Sequence, residues 1–381
     1  MDFTITEEQQ MFAESVERFA QKEIAPGVLD REDVTGFSHE IWKKVSEFGL
    51  AGLSIPIEYG GGGADPITML VGSQAITRGS GDSSLAVVWL SHLLLTAMPI
   101  VDLGTEAQKK KYLPRMASGE LIGAYALTEP DAGTDATGLK TTAKREGDCY
   151  ILNGSKTFIS NAPIADVFVV FASVDLSLRA GGITMFIVER DFPGLTTGKP
   201  LKKYDGNSAP TGEIFFEDCR VPAENLLGTE GGGFMAMISS LGWERMAFGV
   251  TIGTMEWELS KCIEYAKERK QFGKPIAKFQ LVQAMLAEMK IDLEASRYLV
   301  YNLAWKKAAK IDTGLDAAIT KTFITEAASR NTQKAIQIFG GNGCMREYPI
   351  GHGLWFSKMA VIGGGTSQIQ RVIIGRMLTG I

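Results

Sequence analysis

The chain has 381 residues, 45% of them hydrophobic and 22% charged, with a net charge of -5. That length exceeds one ordinary core and predicts two or three packed domains, and the acidic balance gives no basis for a nucleic-acid partner. Four cysteines stand far apart without a CxxC, and only three histidines are present, so the expectation is buried thiols in a reducing compartment and no dedicated metal site.

The N-terminus, Met1-Asp2-Phe3-Thr4-Ile5-Thr6-Glu7-Glu8, is acidic and lacks the basic region of a secretory signal. No uninterrupted apolar run approaches the roughly 20 residues that cross a bilayer, which predicts a cytoplasmic protein with no membrane partner. Residues 1–120 read as a helical domain, in which Thr6 caps a helix carrying Met11, Val16 and Phe19 on one side. Tyr59-Gly60-Gly61-Gly62-Gly63 interrupts it as a flexible turn. Lys109-Lys110-Lys111 reads as a solvated helix face, with a docking patch for an acidic partner as the alternative.

Residues 121–228 change period. The runs 167–171, 183–188 and 212–216 are short, β-branched and aromatic, separated by Gly and Pro, and predict a β-barrel or sandwich. Residues 229–381 return to helical spacing. Ile238, Leu241, Phe248, Ile252, Met255, Leu259 and Cys262 form a stripe with Arg245 as its one non-apolar member. Together they predict a single helix over 232–270, about 57 Å long at 1.5 Å per residue. A second helix is expected from about 277, with Phe279, Val282, Leu286, Met289 and Leu293 inside. The fold class is α+β: an N-terminal helical domain, a middle β domain and a C-terminal helical bundle.

Five segments carry chemistry. They are Thr128-Glu129-Pro130-Asp131-Ala132-Gly133-Thr134-Asp135, Asn153-Gly154-Ser155-Lys156-Thr157-Phe158-Ile159-Ser160-Asn161, Arg269-Lys270-Gln271-Phe272-Gly273, Gln337-Ile338-Phe339-Gly340-Gly341, and Gly363-Gly364-Gly365-Thr366-Ser367-Gln368-Ile369-Gln370. The first, alone, reads more readily as a plain turn. In this order, over essentially the whole chain, they resemble the landmark motifs of the acyl-CoA dehydrogenase superfamily. The resemblance implies an FAD held without a Rossmann glycine motif. Ala126, Leu127 and Thr128 would lie against the flavin, with Thr134 in the same loop. Phe158 would stack on the ring where tryptophan is usual, and Ser160 would bond near N5 where threonine is common. Thr366 and Gln368 would hold the same FAD, whereas Arg269, Phe272, Gln337, Gly340 and Gly341 would reach the FAD of a neighbouring subunit. A site so shared implies a dimer at least, and the family is commonly tetrameric.

In such enzymes the α-proton leaves as H⁺ and the β-hydrogen as hydride to the flavin, which requires a carboxylate base and donors for enolate charge. The C-terminal signature resembles Tyr-Glu-Gly-Thr-Ser-Gln-Ile-Gln, yet Gly364 stands where its glutamate base belongs. Gly364 keeps only the backbone N–H that serves as an oxyanion donor. Glu244, flanking the apolar stripe, matches the helix glutamate that acts as base in isovaleryl-CoA dehydrogenase-like members. The alternative for Glu244 is a surface carboxylate beside Arg245.

A narrower resemblance runs through Ser160-Asn161-Ala162-Pro163, His92-Leu93 and Trp243-Glu244 to the branch that oxidises L-prolyl groups on carrier proteins. It implies a phosphopantetheine thioester as partner in place of a CoA ester, and a pyrroline-carboxyl product or, after a second oxidation, a pyrrole. Gly363 and Gly364 would leave room for the ring, and Arg245 would adjoin the pocket. His92 either lines the pocket or is a packed structural histidine. Reduced flavin would pass electrons to an electron-transfer flavoprotein or to O₂. Rival readings are a branched-chain acyl-CoA dehydrogenase, a flavin monooxygenase on the same scaffold and a non-catalytic carrier-docking module.

Overall fold

A computed structural model of the chain describes residues 5–380, apart from the side chains of Thr35, Leu241 and Gly242. The expectations for residues 1–4 and for the Leu241 side chain lie outside the described residues. Helix α1 (Glu7–Phe19) begins at Thr6 in a capping box, in which Thr6 Oγ accepts from Gln9 N–H and the Gln9 side chain accepts from Thr6 N–H. Val16 is buried and Phe19 stacks on Phe48 at 4.5 Å, but Met11 remains 69% exposed, so the buried face is narrower than the expected one.

The short α2 (Val28–Asp30), α3 (His39–Glu47), α4 (Pro66–Ser80), α5 (Ser83–Leu90), α6 (Met98–Leu103) and α7 (Glu106–Ala117) complete this region. Through a π-helical stretch, α5 and α6 continue as one helix over Ser83–Leu103 with a mean hydropathy of 1.9. By length and composition it could cross a bilayer, which the sequence reading did not foresee because Ser91, His92 and Thr96 interrupt the run without adding charge. The stretch is 83% buried inside the protein, as a core helix is. The glycine turn also departs from expectation. Its backbone is pinned, with Gly61, Gly62 and Gly63 N–H donating to Pro56, Gly52 and Ile55 carbonyls at 3.2, 2.9 and 2.9 Å. A Cβ on Gly61 would come 2.1 Å from Ile55 O, so these glycines permit close approach of two backbones and do not provide flexibility.

The middle region forms one eight-stranded mixed sheet from β1 (Gly123–Ala126), β2 (Thr142–Glu146), β3 (Cys149–Ser160), β4 (Val167–Ser173), β5 (Ile183–Glu189), β6 (Leu195–Thr197), β7 (Thr211–Pro222) and β8 (Leu226–Leu227). The order is β6-β7-β3-β2-β4-β5-β8, and β4 also pairs with β1 in parallel. Strand β4 is buried on both faces, and its period of two divides it. Val167, Val169 and Phe171 join the core shared with the helices, while Phe168, Val170 and Ala172 fill the sheet's own core.

The C-terminal region contains α8 (Gly233–Ala247), α9 (Val250–Glu268), the two-strand ribbon β9 (Lys270–Gln271) and β10 (Lys274–Pro275), α10 (Gln280–Ala308), α11 (Gly314–Phe339), α12 (Gly353–Ile362) and α13 (Ser367–Thr379). The single helix expected over 232–270 is thus two. Tight i→i−3 bonds from Gly249, Thr251 and Ile252 replace the regular ladder at the junction. Thr77 Oγ1 of α4 donates to Val250 O at 3.0 Å, and a Cβ on Gly249 would lie 2.3 Å from Leu70. The break therefore follows from how closely α4 packs against this junction, which no local periodicity encodes. Ile238 is 41% exposed, whereas Met246, Ile252, Met255 and Cys262 are buried.

A polar strut ties the three regions. Glu32 accepts from Asn207 N–H at 2.6 Å and Ser208 N–H at 3.2 Å, and Asp205 Oδ1 meets His352 Nδ1 at 3.1 Å. The three ligand atoms lie within 4.8 Å of one another, but backbone N–H groups already occupy both carboxylates, as expected of a strut. Asp205 raises the His352 pKa above its usual value. This pair's stabilisation is full below about pH 6.5, the unfolded histidine's pKa, and is lost as pH rises through the higher folded value. His352→Gln is therefore expected to flatten the fall in Tm as pH rises above about 6.5, as checked by thermal melts on either side of that value.

Candidate active site

Four elements converge on Glu244. It lies near the C-terminal end of α8, half-buried, and burial raises its pKa against the opposing charges of Arg245 and Lys321. Its neighbour Trp243 is buried, with Lys307 Nζ of α10 4.4 Å from its ring centroid, which anchors this end of α8. Arg245 is also buried, and its Nε has no hydrogen-bond partner. From the sheet, Tyr125 of β1 faces the helices, where burial and then the Glu244 charge push its hydroxyl pKa up. Alternation along β1 sends Tyr125 to that side and Ala124 and Ala126 into the sheet core.

The turn 363–365 forms the opposite wall. Gly364 and Gly365 have φ of +62° and +82°, a left-handed pair that suits glycine. Gly363 N–H closes α12 onto Met359 O at 2.8 Å, leaving the Gly364 N–H one residue past the helix. A Cβ built on Gly364 would lie 3.4 Å from Glu244 Oε1 and 2.6 Å from Phe248 Cε2. A side chain at 364 would thus point at the Glu244 carboxylate. The same geometry corrects the expectation of room for a substrate ring beside Gly364, because Phe248 fills that space. Gly363 is exposed, and only Met359 O lies near its missing Cβ.

The ledge predicted to hold the flavin lies between β1 and β3. Thr157 N–H donates to Thr128 O at 2.9 Å, bringing the half-buried Leu127-Thr128 segment beside Phe158 and Ser160. Phe158 is 69% exposed at a φ of 56°, an apolar ring held outward on an uncommon backbone. Behind the ledge, Lys156 Nζ contacts Glu129 Oε1 at 2.7 Å and donates to Leu127 O at 3.1 Å, with both side chains buried. This rigid shelf with a presented aromatic face fits a planar ring such as isoalloxazine. Ala126, before this segment, is fully buried, with its methyl in the sheet core. Thr134 is exposed in the following loop; Thr366 caps α13 through Ile369 N–H, with Gln368 exposed in its first turn.

The other predicted flavin residues lie at the far end of the helices. Phe272 is 93% exposed in the β9–β10 ribbon, and Arg269, Gln337, Gly340 and Gly341 are exposed near it. Tyr265 stacks on Phe339 at 4.1 Å and so joins the C-terminal ends of α9 and α11. Helix α9, 19 residues and about 28 Å long at 1.5 Å per residue, stands in the chain between Glu244 and this group. The predicted flavin residues therefore fall into two separate groups on the chain.

His92 is not in the pocket. It is fully buried, Gly123 N–H donates to its Nδ1 at 3.1 Å, and Nε2 contacts Met116 O at 3.2 Å. Burial pushes its pKa down to about 4, and it holds α7 to β1 as a neutral structural ring. The lysine run is mostly paired within the chain, Lys111 with Glu189 at 2.7 Å and Lys109 with Glu106 at 3.9 Å. A cavity of about 480 Å³ bordered by Asp82, Trp257 and His352 includes none of the predicted site residues. Lys321 and Phe248 were missed as site residues. Ala317, Lys321, Ile324 and Ala328 form one buried stripe of α11, and a lysine within it was the available signal.

Comparison with known proteins accounts for this arrangement. The chain matches the acyl-CoA dehydrogenase N-terminal domain over residues 6–120, the middle domain over 124–219 and the C-terminal domain over 231–379. It is 39% identical to a short-chain-specific acyl-CoA dehydrogenase of Clostridium acetobutylicum, covering 98% of both chains. To an L-prolyl-[peptidyl-carrier protein] dehydrogenase of Pseudomonas fluorescens it is 40% identical, covering 99% of this chain and 100% of the other. A solved structure described as PigA with FAD and proline superimposes with a TM-score of 0.96 at 34% identity, covering 100% of this chain and 99% of that one. The chain belongs to the acyl-CoA dehydrogenase family and is an FAD-dependent oxidoreductase that dehydrogenates acyl thioesters.

Proposed function

We propose that Glu244 is the base of this dehydrogenase and that its substrate is an L-prolyl group on a carrier protein, converted to a pyrroline-carboxyl thioester. The observation that carries the base is the 3.4 Å between Glu244 Oε1 and the position of a Cβ on Gly364. A carboxylate from α8 reaches the place toward which a glutamate at 364 would project. Burial raises its proton affinity, which suits a base working near neutrality. When bound, FAD accepts the β-hydrogen as hydride. The chain's own part is to take the α-proton at Glu244, to meet the enolate charge with the Gly364 N–H, and to seat the ring on Phe158 and the Thr128 ledge. Arg269, Phe272, Gln337, Gly340 and Gly341 complete the site of a neighbouring copy, so the working form is a homo-oligomer, assigned here as a tetramer in the cytoplasm.

The prolyl assignment rests on similarity to the carrier-protein enzyme and to the structure with proline. A second reading, a CoA ester of isovaleryl type, is supported by 39% identity to an isovaleryl-CoA dehydrogenase of Pongo abelii, since 39% and 40% do not discriminate. Anaerobic mixing of the purified flavoprotein with L-prolyl-carrier protein, and separately with isovaleryl-CoA, decides between them. Bleaching of the flavin band only by the carrier thioester is expected. Bleaching only by the CoA ester moves the protein to branched-chain acyl metabolism. Reoxidation of the bleached enzyme by air, against an added electron-transfer flavoprotein, then identifies the electron acceptor.

A further inference from the structure

Lys321 lies in the N-terminal third of α11 with its side chain fully buried. A buried ammonium is costly unless its protons find acceptors. Here Nζ donates to Val361 O at 3.1 Å and to Gly365 O at 2.7 Å. These two carbonyls bracket the Gly363-Gly364 pair. Val361 belongs to the last turn of α12, where carbonyls lack a helical donor, and Gly365 is the second left-handed residue of the turn. Gln370 of α13 donates to Gly364 O at 2.9 Å, so two side chains clamp the turn and only Lys321 brings charge. The same Nζ lies 5.3 Å from the centroid of Phe248, the ring beside the Gly364 Cα.

We propose that Lys321 is a positioning residue of the dehydrogenation, holding the turn that presents the Gly364 N–H and keeping a fixed positive charge beside Glu244. This inference rests on Glu244 being the base. The groups facing Glu244 are Arg245 on its own helix, Lys321 from α11 and the Tyr125 hydroxyl from β1. Both cations favour its ionised form. Arg245 is attached to α8 itself, so Lys321 is the charge that couples the base to the turn across the bundle. Burial pushes the Lys321 pKa down to about 8 despite the attraction of Glu244. Its charge, and with it this arrangement, is therefore present below about pH 8 and lost above it.

The test compares Lys321→Met, Lys321→Arg and Glu244→Gln in the flavin-loaded enzyme. Lys321→Met is expected to lower kcat about 10²-fold, the scale of a misplaced reacting geometry, with KM changed far less. Its acid limb should move to higher pH, because a cation beside Glu244 is gone. Lys321→Arg keeps the charge, so the acid limb should stay in place and the alkaline limb near pH 8 should disappear. Hydrogen exchange of residues 363–366 in the resting enzyme should quicken in Lys321→Met. Unchanged pH limbs together with unchanged exchange overturn the proposal. Should Lys321→Met not fold, Lys321→Gln, neutral but still a donor, must shift the acid limb or the proposal fails. If Glu244→Gln remains active, the assignment of the base falls and takes the charge-coupling role with it. Faster exchange in Lys321→Met would then still uphold the hold on the turn.

Discussion

Glu244→Gln is expected to lower kcat by about 10²–10⁴-fold, the usual contribution of a positioned general base, with the flavin still bound and yellow. The side chain keeps its size and loses only its proton affinity. Anaerobic incubation in D₂O gives an independent readout, since the wild type should wash deuterium into the substrate α-position and the variant should not. Because burial raises the Glu244 pKa, the acid limb of kcat/KM should lie above the ordinary glutamate value of about 4.3, with activity lost as pH falls through it. A variant that turns over normally would favour oxygen-activating chemistry, which needs no α-proton base. Gly364→Glu should not compensate on its own. Its Cβ would lie 2.6 Å from Phe248 Cε2 and its φ of +62° disfavours any side chain, so rescue would require Phe248→Ala as well.

The second large effect concerns stability. Lys156→Met should destabilise the chain by about 3–5 kcal/mol, because it leaves the Glu129 carboxylate buried without its cation. Glu129 Oε1 contacts Lys156 Nζ at 2.7 Å and accepts from Thr141 N–H at 3.0 Å, while Oε2 accepts from Lys140 N–H at 2.5 Å. These partners hold the Glu129 pKa down although burial alone would raise it, so the carboxylate stays charged at neutral pH. Thermal melts should show a lowered Tm, with flavin released early because Lys156 also supports Leu127 O. The pair Glu129→Gln and Lys156→Met removes both charges and should recover much of the loss, as replacement of a whole buried pair does. If the single variant melts with the wild type, the pair contributes little and the ledge is held by the strands alone.

Much of the architecture was legible along the chain. The strands over 167–173, 183–189 and 211–222 appear where short β-branched and aromatic runs predicted them: the first two are buried on both faces and so apolar throughout, while the third alternates. The cap at Thr6 was legible because capping is chemistry between neighbours in sequence. Other features were not. A histidine in an apolar run reads the same whether its nitrogens face a ligand or two backbone groups, and His92 faces Gly123 and Met116. The direction of Ala126 required knowing which face of β1 meets the helices.

Sequence alone determined the family, through five ordered motifs, and the oddity at its centre, a glycine where a glutamate is usual. It also named Glu244 as the candidate replacement, because its place beside the apolar stripe matches the helix glutamate that acts as base in isovaleryl-CoA dehydrogenase-like members. Only the tertiary structure decided that α8 and α9 are separate, that Phe248 closes the space at Gly364, and that Lys321 reaches across from α11 to the same turn. Such contacts join residues more than 40 positions apart, and spacing within one helix carries no record of what a distant helix places against it.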